Sequence, residues 1–466
     1  MAEIEVVQPP IDTAEVLDAL RTAAAELGVE AYLVGGFVRD RLLGRGTSKD
    51  IDALVVGEGA VELLAHIARR FGWSRPQRFE RFGTVQVRGD GFVVEAVRAR
   101  RERYNPDSRK PDVEPGTLEE DIWRRDFTVN ALAQDFEGRI LDLTGRGVDD
   151  LYAGVLRTPL DPADTFDEDP LRMFRGARFV AQLGFRLAPG TVEAMREQAH
   201  LARPPKISVE RIHDELVRLL TSQHPRAGVD VLHEGGLLTE VLPELEAMRG
   251  VEQSGYHCYD VYDHTLHALD HTPSADLVTR LAVLLHDVGK PPTHAVAEDG
   301  RHTFHDHPQV GAEMAEEILT RLRFSGDEIR DVATLIRLHL RPIQYQHDTH
   351  GDAAVRRLIR AAGKLRARML DVARADTLAS SYPGTHEIDE LAERMERLDR
   401  GGGISRPKAP LDGDTIMRIA GRGPGRWVGR VQDALVEAML DGEFPPGDAG
   451  AAEAWLRAHP ELLEGP

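Results

Sequence analysis

A diglycine followed closely by an Asp-x-Asp pair constrains the fold of this chain more than any other feature. Gly35-Gly36 separates a short apolar run from a helical run, and Asp50-Ile-Asp52 begins a second apolar run of strand type. Residues two apart on a strand point to the same face, so the carboxylates of Asp50 and Asp52 repel unless a cation lies between them. Oxygen ligands suit Mg²⁺, and glycines at a helix start let backbone amides approach a phosphate. This stretch predicts a metal-dependent nucleotide site.

The surrounding segments predict a small mixed sheet with helices. A helix capped by Thr13 is expected to end at Gly28, a second helix covers residues 59–71, and two strands over 84–88 and 91–95 pair around a turn. Glu95 is expected near the two aspartates, where it would be the third carboxylate of a two-metal site. A solvent-facing glutamate on an edge strand is the alternative.

Length and charge restrict the class of protein. A chain of 466 residues suggests two to four domains, and a net charge of −20 argues against a protein that coats nucleic acid indiscriminately. The single cysteine, Cys258, excludes an internal disulfide framework and a cysteine-based zinc cluster. The sequence has no signal-peptide pattern and no apolar run of membrane-spanning length, so a soluble cytoplasmic protein without membrane contact is expected.

The string Gly-Gly-x-Val-Arg-Asp-x-Leu-Leu-Gly-Arg from residue 35 to 45, with Asp-x-Asp after it, resembles the head of the class II tRNA nucleotidyltransferase and poly(A) polymerase family. The resemblance implies that Gly35 and Gly36 contact a triphosphate, with Arg39 in the attached motif, and that Asp50 and Asp52 hold two Mg²⁺ ions. It implies an α+β fold, in which a small mixed-sheet, polymerase β-like nucleotidyltransferase head precedes an all-α neck, body, HD and tail region.

A basic, turn-rich run occupies residues 98–110. Alone, such a run is usually a solvated loop. It resembles the flexible loop of the family, with Arg100 and Arg109 at the matching arginines. In the family that loop is associated with the switch from C to A addition, which favours a full CCA-adding or an A-adding enzyme over one that stops at CC.

Residues 124–133 contain Arg-Arg-Asp-Phe-Thr-Val-Asn-Ala-Leu-Ala. On a helix, Asp126 and Asn130 are four apart and share a face, so that together they can bind both hydroxyls of a ribose. A capped helix with an ordinary polar face is the alternative, but the whole string resembles a motif of the same family. Arg125 is then a candidate phosphate ligand.

Glu168-Asp-Pro-Leu-Arg opens a further predicted helix, with Pro170 in its first turn and with Asp169 and Arg172 facing the same way. Asp169 and Arg172 are three apart, and a carboxylate with a guanidinium can bind the Watson–Crick edge of a base. The resemblance implies that this pair reads the incoming CTP or ATP, with Arg175 and Arg178 beside it and Gly184 at the helix end. Glu210 and Arg211 of the next motif are expected to support this helix.

Histidines crowd between residues 257 and 350. A His-Asp pair can bind a divalent ion when other helices add ligands, and such a metal acidifies water for attack on a phosphate ester. The segment resembles an HD-type metal-dependent phosphohydrolase domain. The resemblance implies His264, His286, Asp287 and Asp376 as ligands of Mn²⁺, Ni²⁺ or Fe²⁺, His307 and His339 as a second set, and Lys290 as a phosphate contact. The domain could equally act as a scaffold for tRNA.

Together these motifs predict a CTP(ATP):tRNA nucleotidyltransferase that builds or repairs the 3′-terminal CCA, with tRNA, CTP and ATP as partners and a monomeric or homodimeric state. An A-adding enzyme, a poly(A) polymerase and an HD phosphohydrolase with an RNA-binding head are the alternatives. The predicted domains are the head (1–158), the neck and body (159–248), the HD domain (249–392) and the tail (393–466).

Overall fold

The computed structural model describes residues 11–45, 49–79, 83–103, 112–255, 258–400, 404 and 408–464. The chain divides into two compact units, Met1–Val241 and Leu242–Pro466. The four-part division expected from the sequence stays a prediction. None of the helices in the described ranges combines the length and the apolar character that a membrane span requires.

The first unit contains a seven-stranded mixed sheet. Its spatial order is β3-β4-β5-β2-β1-β8-β9, with β2 and β5 parallel and the other neighbours antiparallel. Two further pairs, β6-β7 and β10-β11, lie outside it. The strands are β1 (Glu30–Val34), β2 (Asp50–Val56), β3 (Gln77–Phe79), β4 (Thr84–Gly89), β5 (Phe92–Arg98), β6 (Arg100–Arg103), β7 (Asp112–Pro115), β8 (Ala133–Gln134), β9 (Ile140–Leu141), β10 (Val155–Leu156) and β11 (Arg186–Leu187).

Eleven labelled α-helices accompany these strands in the described part of the first unit. They are α1 (Thr13–Leu27), α2 (Gly35–Leu42), α3 (Ala60–Phe71), α4 (Leu118–Trp123), α5 (Gly147–Ala153), α6 (Pro162–Glu168), α7 (Leu171–Leu183), α8 (Thr191–Gln198), α9 (Val209–Leu220), α10 (Pro225–Glu234) and α11 (Leu237–Val241). The cap predicted for α1 is wrong by one residue. Asp12, not Thr13, is the N-cap, because its side chain accepts a hydrogen bond from the backbone amide of Glu15 while that of Glu15 binds the amide of Asp12.

The strand–helix–strand prediction for the diglycine stretch is confirmed by β1, α2 and β2. Leu33 and Ile51 are buried on the core side, and α2 begins directly at Gly35. Gly35 has a φ of 68°, a backbone conformation that residues other than glycine rarely adopt. The chain can therefore turn from a central strand into a helix without a loop.

The helix predicted across Asp126 and Asn130 is wrong. α4 ends at Trp123, and only a short 3₁₀ turn, Thr128–Asn130, follows. Phe127 has the extended φ and ψ values of −137° and 148°, which interrupts helical continuation. The two side chains are brought together by this bend and not by a shared helical face.

The prediction that Asp169 and Arg172 share a helix is also wrong. Asp169 terminates α6 in an extended conformation, Pro170 is the N-cap of α7, and Arg172 lies in the first turn of α7. Proline disfavours helical geometry in the residue before it, so Asp169 is set in a connection between two helices. Gly184 ends α7 with φ 71°, as predicted.

The second unit is helical apart from one β-hairpin in its described part, β12 (His294–Val296) with β13 (His302–Phe304). Its helices are α12 (Pro243–Glu246), α13 (Val261–Asp270), α14 (Leu277–Leu285), α15 (Lys290–Thr293), α16 (His307–Arg321), α17 (Gly326–Leu338), α18 (Leu340–Ile343), α19 (Asp352–Ala362), α20 (Arg366–Leu378), α21 (His386–Leu398), α22 (Gly413–Ala420), α23 (Arg426–Asp441), α24 (Ala449–Ala458) and α25 (Glu461–Glu464). The α+β class, a mixed-sheet head followed by a helical region, is thus the observed fold.

Candidate functional site

The carboxylates predicted to hold metal lie on two neighbouring parallel strands. In the register of β2 with β5, Asp52 is directly opposite Glu95, and Asp50 is opposite Val93. Directly opposite residues of a sheet, and residues two apart on one strand, share a face. The structure therefore places Asp50, Asp52 and Glu95 on one face, and their catalytic role stays a prediction.

The acidity of Asp52 reflects this arrangement. Burial, and then the negative charge of Glu95, raise the pKa of Asp52 to about 6, although Arg125 and Arg39 act in the opposite direction. A partly buried carboxylate that faces another carboxylate is stabilised by a cation between them. The donor set, oxygen atoms of acidic side chains, fits a hard divalent ion such as Mg²⁺.

The diglycine leaves space beside these carboxylates. A Cβ atom on Gly35 would lie 3.6 Å from Oδ2 of Asp52 and 3.5 Å from Nη1 of Arg125. A Cβ atom on Gly36 would lie 3.6 Å from Nη2 of Arg39. A side chain at position 35 would occupy the space beside Asp52 and Arg125, and a side chain at position 36 would occupy the space beside Arg39. Because glycines leave this space open, a ligand can approach the backbone closely here.

A cleft of about 550 Å³ opens at this point. It brings together most of the residues expected to bind nucleotide, while Asp50 and Glu95 are not among its lining residues and Arg109 lies outside the described residues. The predicted residues that line it are Gly35, Gly36, Arg39, Asp52, Arg100, Arg125, Asp126, Asn130, Asp169, Arg172, Arg175 and Arg178.

Asp126 and Asn130 form the centre of a buried polar network in this cleft. Nδ2 of Asn130 donates to Oδ1 of Asp126 at 3.0 Å, and Nη1 of Arg39 donates to Oδ1 of Asn130 at 2.7 Å. Nε of Arg175 donates to Oδ2 of Asp126 at 2.7 Å. Burial opposes ionisation of Asp126, but Arg175 and Asn130 lower the pKa of this carboxyl to about 2. Asp126 is therefore an anion held rigidly at the cleft wall.

Arg125 is held by a fully buried carboxylate. Its Nη2 donates to Oδ2 of Asp121 at 3.0 Å, and its Nη1 donates to the backbone carbonyl of Asn130 at 3.2 Å. Asp121 also pairs with Arg124 and has an exposed fraction of 0%. The guanidinium of Arg125 is thereby fixed next to Gly35 and Asp52, where its positive charge can bind a phosphate.

Asp169 and Arg172, the predicted base readers, each have another partner. Arg211 donates to Asp169 at 2.7 Å, which agrees with the expected supporting role of Arg211. Arg172 binds Oε2 of Glu168 at 2.9 Å and the backbone carbonyls of Thr165 and Arg124. Both side chains nevertheless line the cleft. Each is thus held in place by residues other than its predicted partner.

Phe179 was missed by the sequence reasoning and organises the arginines of the cleft. Its ring centroid lies 4.1 Å from Cζ of Arg178 and 5.4 Å from Cζ of both Arg39 and Arg175. Arg178 also pairs with the buried Glu215 at 2.6 Å, although burial lowers the pKa of Arg178 to about 10. Cationic groups stack favourably on an aromatic face.

Arg218 and Gln182 also line the cleft without having been predicted. Arg218 follows Arg211 by seven residues on α9, and Gln182 follows Arg175 by seven on α7. Residues seven apart on a helix share a face, so helical spacing could have identified both.

The second unit gathers the predicted HD residues into two groups. His264, His286 and Asp376 form one group, and Asp287, His307 and His339 form the other, with the ligand atoms of each group within 4.8 Å of one another. The sequence placed Asp287 in the first set. Oδ2 of Asp287 lies 3.2 Å from Nε2 of His286 and Oδ1 lies 3.5 Å from Nε2 of His307, so this carboxylate faces both groups.

Three of the histidines are oriented by the backbone. The Nδ1 atoms of His286, His307 and His339 hydrogen-bond the carbonyls of Val283, Phe304 and Ile336 at 2.7–2.8 Å. Their buried Nε2 atoms face Asp287, and within the described residues those of His307 and His339 have no hydrogen-bond partner. Fixing one ring nitrogen while the other faces inward is the arrangement of metal-binding histidines. The residues present therefore fit a divalent metal.

The charge at this centre favours a cation. Burial lowers the pKa of His286, but Asp287 and then Asp376 overcome this and raise it to about 9. Nζ of Lys290 donates to Oδ2 of Asp287 at 2.7 Å and to Gln253 at 2.5 Å. Asp287, Asp376, His307 and Lys290 line a cavity of about 370 Å³ that gives access to the centre.

Three family models match the chain. The Poly A polymerase head domain matches residues 31–157, the probable RNA and SrmB-binding site of polymerase A matches residues 184–249, and the HD domain matches residues 255–381.

Curated relatives cover most of the chain. An A-adding tRNA nucleotidyltransferase of Deinococcus radiodurans is 40% identical over 74% of this chain and 81% of its own length. A CC-adding tRNA nucleotidyltransferase of Thermus thermophilus is 35% identical over 92% and 93%, and a multifunctional CCA protein of Nitrosomonas eutropha is 32% identical over 87% and 99%.

The fold is similar to that of a solved enzyme. The crystal structure of the Bacillus stearothermophilus CCA-adding enzyme in complex with CTP superposes with a TM-score of 0.71, at 24% identity over 97% of this chain and 99% of that chain.

Proposed function

The chain is a nucleotidyltransferase of the class II tRNA nucleotidyltransferase and poly(A) polymerase family, and from this premise we propose that it adds or repairs the 3′-terminal CCA of tRNA with CTP and ATP. One observation carries the proposal. A single cleft contains the diglycine and Asp52, the Asp126–Asn130 pair, and Asp169 with Arg172. These parts correspond to the triphosphate, the ribose and the base of one nucleotide.

The residues divide the reaction between them. Asp50 and Asp52, with Glu95 opposite Asp52, would hold two Mg²⁺ ions, which supply Lewis-acid chemistry to the attacking ribose 3′-hydroxyl and the departing pyrophosphate. Amides at Gly35 and Gly36 and the guanidinium of Arg125 bind phosphate oxygens. In this proposal the 3′-hydroxyl of the tRNA attacks the α-phosphorus and loses its proton to solvent. The bond from the α-phosphorus to the oxygen that bridges it to the β-phosphate breaks, pyrophosphate leaves, and no template is needed.

We assign nucleotide selection to the part of the cleft formed by residues 126–130 and by the connection from α6 to α7. Asp126 and Asn130 bind the ribose hydroxyls, and Asp169 and Arg172 bind the base edge. Arg175 and Arg178 support this wall through Asp126 and Glu215. Arg100, and Arg109 beyond the described residues, belong to the loop that the family resemblance links to the change from C to A.

An A-adding enzyme that depends on a separate CC-adding partner is the second candidate. The relative from Deinococcus radiodurans, 40% identical, is named an A-adding enzyme. A poly(A) polymerase is a further alternative, but residues 77–84 read Gln-Arg-Phe-Glu-Arg-Phe-Gly-Thr, which departs from the Gly-Arg-Arg-Phe-like pattern typical of that subfamily.

Purified full-length protein, single nucleoside triphosphates and Mg²⁺ distinguish these candidates. We expect two C additions to a tRNA lacking CCA and one A addition to a tRNA ending in CC. If the protein adds A normally but fails to add C, it is an A-adding enzyme. If it extends the tRNA beyond one A, it is a poly(A) polymerase. Asp50→Ala should abolish addition, whereas Asp149→Ala, an exposed aspartate of α5, should leave it unchanged.

For the second unit we propose a metal-dependent phosphohydrolase, because six buried ligand residues converge beside an open cavity. Mn²⁺, Ni²⁺ or Fe²⁺ at these residues would supply a water molecule acidified for attack on a phosphate ester. Lys290 would bind a phosphate oxygen. Metal analysis of wild type and His286→Ala, with hydrolysis of 2′,3′-cyclic nucleotides, tests this. The full metal content of wild type in the variant, or no hydrolysis by the loaded wild type, would leave the unit as a scaffold for tRNA.

We propose a cytoplasmic monomer or homodimer with the four domains 1–158, 159–248, 249–392 and 393–466. Light scattering with and without tRNA measures the mass of the particle.

A further inference from the structure

A row of three polar side chains crosses the head sheet at the candidate catalytic face. Gln86 on β4 is directly opposite Glu95 on β5, and Glu95 is directly opposite Asp52 on β2. In-register neighbours on one face are close enough for side-chain contact. Glu95 therefore has Asp52 on one side and Gln86 on the other.

The amide of Gln86 binds the carboxylate of Glu95 directly. Nε2 of Gln86 donates to Oε1 of Glu95, and Nε of Arg88 donates to Oε1 of Gln86 at 2.7 Å. The side chain of Gln86 is buried, with an exposed fraction of 6%. Burying an amide costs free energy unless its polar atoms are satisfied, and these two bonds satisfy one donor and the acceptor.

Arg88 fixes which end of the amide faces Glu95. A guanidinium can only donate hydrogen bonds, so the Gln86 atom that faces Arg88 must be the carbonyl oxygen. The amino group is then directed across the sheet to Glu95. Arg88 and Gln86 are two apart on β4 and share a face, so the strand itself maintains this order.

We propose that Gln86 is a positioning residue for nucleotidyl transfer, which holds the carboxylate of Glu95 toward Asp52 so that the three carboxylates together form the two-metal site. The proposal rests on the proposed function of the head. Occupying Oε1 of Glu95 restricts the rotation of that carboxylate and leaves Oε2 for a metal. Residues that orient metal ligands in this way typically change metal affinity or activity by 10- to 100-fold when they are replaced.

The test replaces Gln86 by methionine, which has similar length and no amide. The matched control is Gln134→Met, since Gln134 is a glutamine of the same sheet with the same exposed fraction of 6% and binds Gly138 and Arg41 instead. Mn²⁺ binding to the full chain is measured by electron paramagnetic resonance, with Asp52→Asn protein defining the ions bound elsewhere. Steady-state kcat and KM for CTP are measured on a tRNA lacking CCA.

Gln86→Met should weaken Mn²⁺ binding and lower kcat by about 10-fold each while the KM for CTP stays within about 2-fold, and Gln134→Met should change neither quantity. Arg88→Ala, at an exposed position, should give a smaller loss of the same kind. Unchanged Mn²⁺ affinity in folded Gln86→Met protein, or an equal loss in Gln134→Met, overturns the proposal. If wild type binds Mn²⁺ but transfers no nucleotide to tRNA, the proposed function fails separately.

Discussion

Arg211 donates hydrogen bonds to both carboxylate oxygens of Asp169, at 3.3 Å and 2.7 Å. Asp169 lies between α6 and α7, where its Oδ1 also accepts a hydrogen bond from the backbone amide of Leu171 at 3.2 Å, and Arg211 is anchored in the first turn of α9. A bidentate pair fixes the plane of a carboxylate as well as its position. Arg211, together with the amide of Leu171, therefore fixes how Asp169 faces the cleft.

Arg211→Ala should reduce base discrimination more than turnover. Without the guanidinium, Asp169 keeps only its bond to the amide of Leu171, which leaves the plane of the carboxylate less restrained. We therefore expect the ratio of kcat/KM for CTP over UTP to fall by about 10-fold, which corresponds to about 1.4 kcal/mol. Incorporation of each nucleotide into a tRNA lacking CCA measures this ratio. Arg203→Ala is the control, because Arg203 forms a comparable pair with Glu240 and does not line the cleft. An unchanged CTP/UTP ratio would contradict the assigned role of Asp169.

Asn130→Ala should weaken the preference for ribonucleotides. The variant removes the amide next to Asp126 and the acceptor for Arg39. We expect kcat/KM for CTP to fall by about 10- to 100-fold, since a bond to a charged group contributes about 1.5–3 kcal/mol. The value for dCTP, which lacks the 2′-hydroxyl, should change much less, so dCTP is the internal control. Equal losses for both nucleotides would show that Asn130 acts on the fold of the cleft and not on the sugar.

Asp52→Asn should stabilise the metal-free protein in a pH-dependent way. Burial and Glu95 raise the pKa of Asp52 from 3.8 to about 6, so the folded state binds more protons than the unfolded state between these values. The free energy of unfolding of wild type therefore falls as pH rises through this window. With solvent screening taken into account, the variant should gain about 1–2 kcal/mol above pH 6 and nothing near pH 4. Urea unfolding in EDTA measures the difference, and Mg²⁺ should reduce it. A gain of equal size at pH 4 would rule out titration of Asp52 as the cause.

The strand–helix–strand unit of β1, α2 and β2 could be predicted from the sequence because the residues that determine it are close together in the chain. Gly35 permits the positive φ that the turn requires, and the alternation around Ile51 specifies one buried face. The Asp126–Asn130 contact was also predicted correctly in outcome but for the wrong reason. Spacing suggested a helix, whereas an extended residue and a 3₁₀ turn bring the two side chains to 3.0 Å.

The parts that the sequence could not predict depend on contacts between distant segments. Phe179 looks like an ordinary core residue of α7, and only packing places Arg39 against it. The hydrogen bond from Gln86 to Glu95 requires the register of β4 against β5, which hydrophobic alternation specifies only to within two residues. The division of the six HD residues into two groups likewise depends on how five helices, α13, α14, α16, α17 and α20, meet.

Asp121→Asn should destabilise the head. Asp121 is fully buried between Arg124 and Arg125, and these pairs lower its pKa although burial acts against ionisation. Removing one partner of a buried ion pair leaves uncompensated charge and typically costs about 3–5 kcal/mol. Urea unfolding followed by circular dichroism measures the loss. Glu119→Gln, on an exposed position of the same helix, should remain within about 0.5 kcal/mol of wild type. A loss below about 1 kcal/mol in Asp121→Asn would mean that both arginines find other acceptors.

Two histidine variants should remove different metal ions from the second unit. His264 lies 2.9 Å from Oδ1 of Asp376 in the first group, and His339 lies 4.0 Å from Oδ1 of Asp287 in the second. In Asp52→Asn protein, which lacks the proposed head site, reconstituted with Mn²⁺, we expect two ions, and one after the further change His264→Ala or His339→Ala, as measured by mass spectrometry of the metals after dialysis. His305→Ala, at an exposed histidine outside both groups, should retain both ions.

Because Asp287 faces both groups, Asp287→Ala should lose both ions. Loss of both ions in each single-histidine variant would instead indicate one shared centre, and no loss in either would contradict the assignment of these residues as ligands.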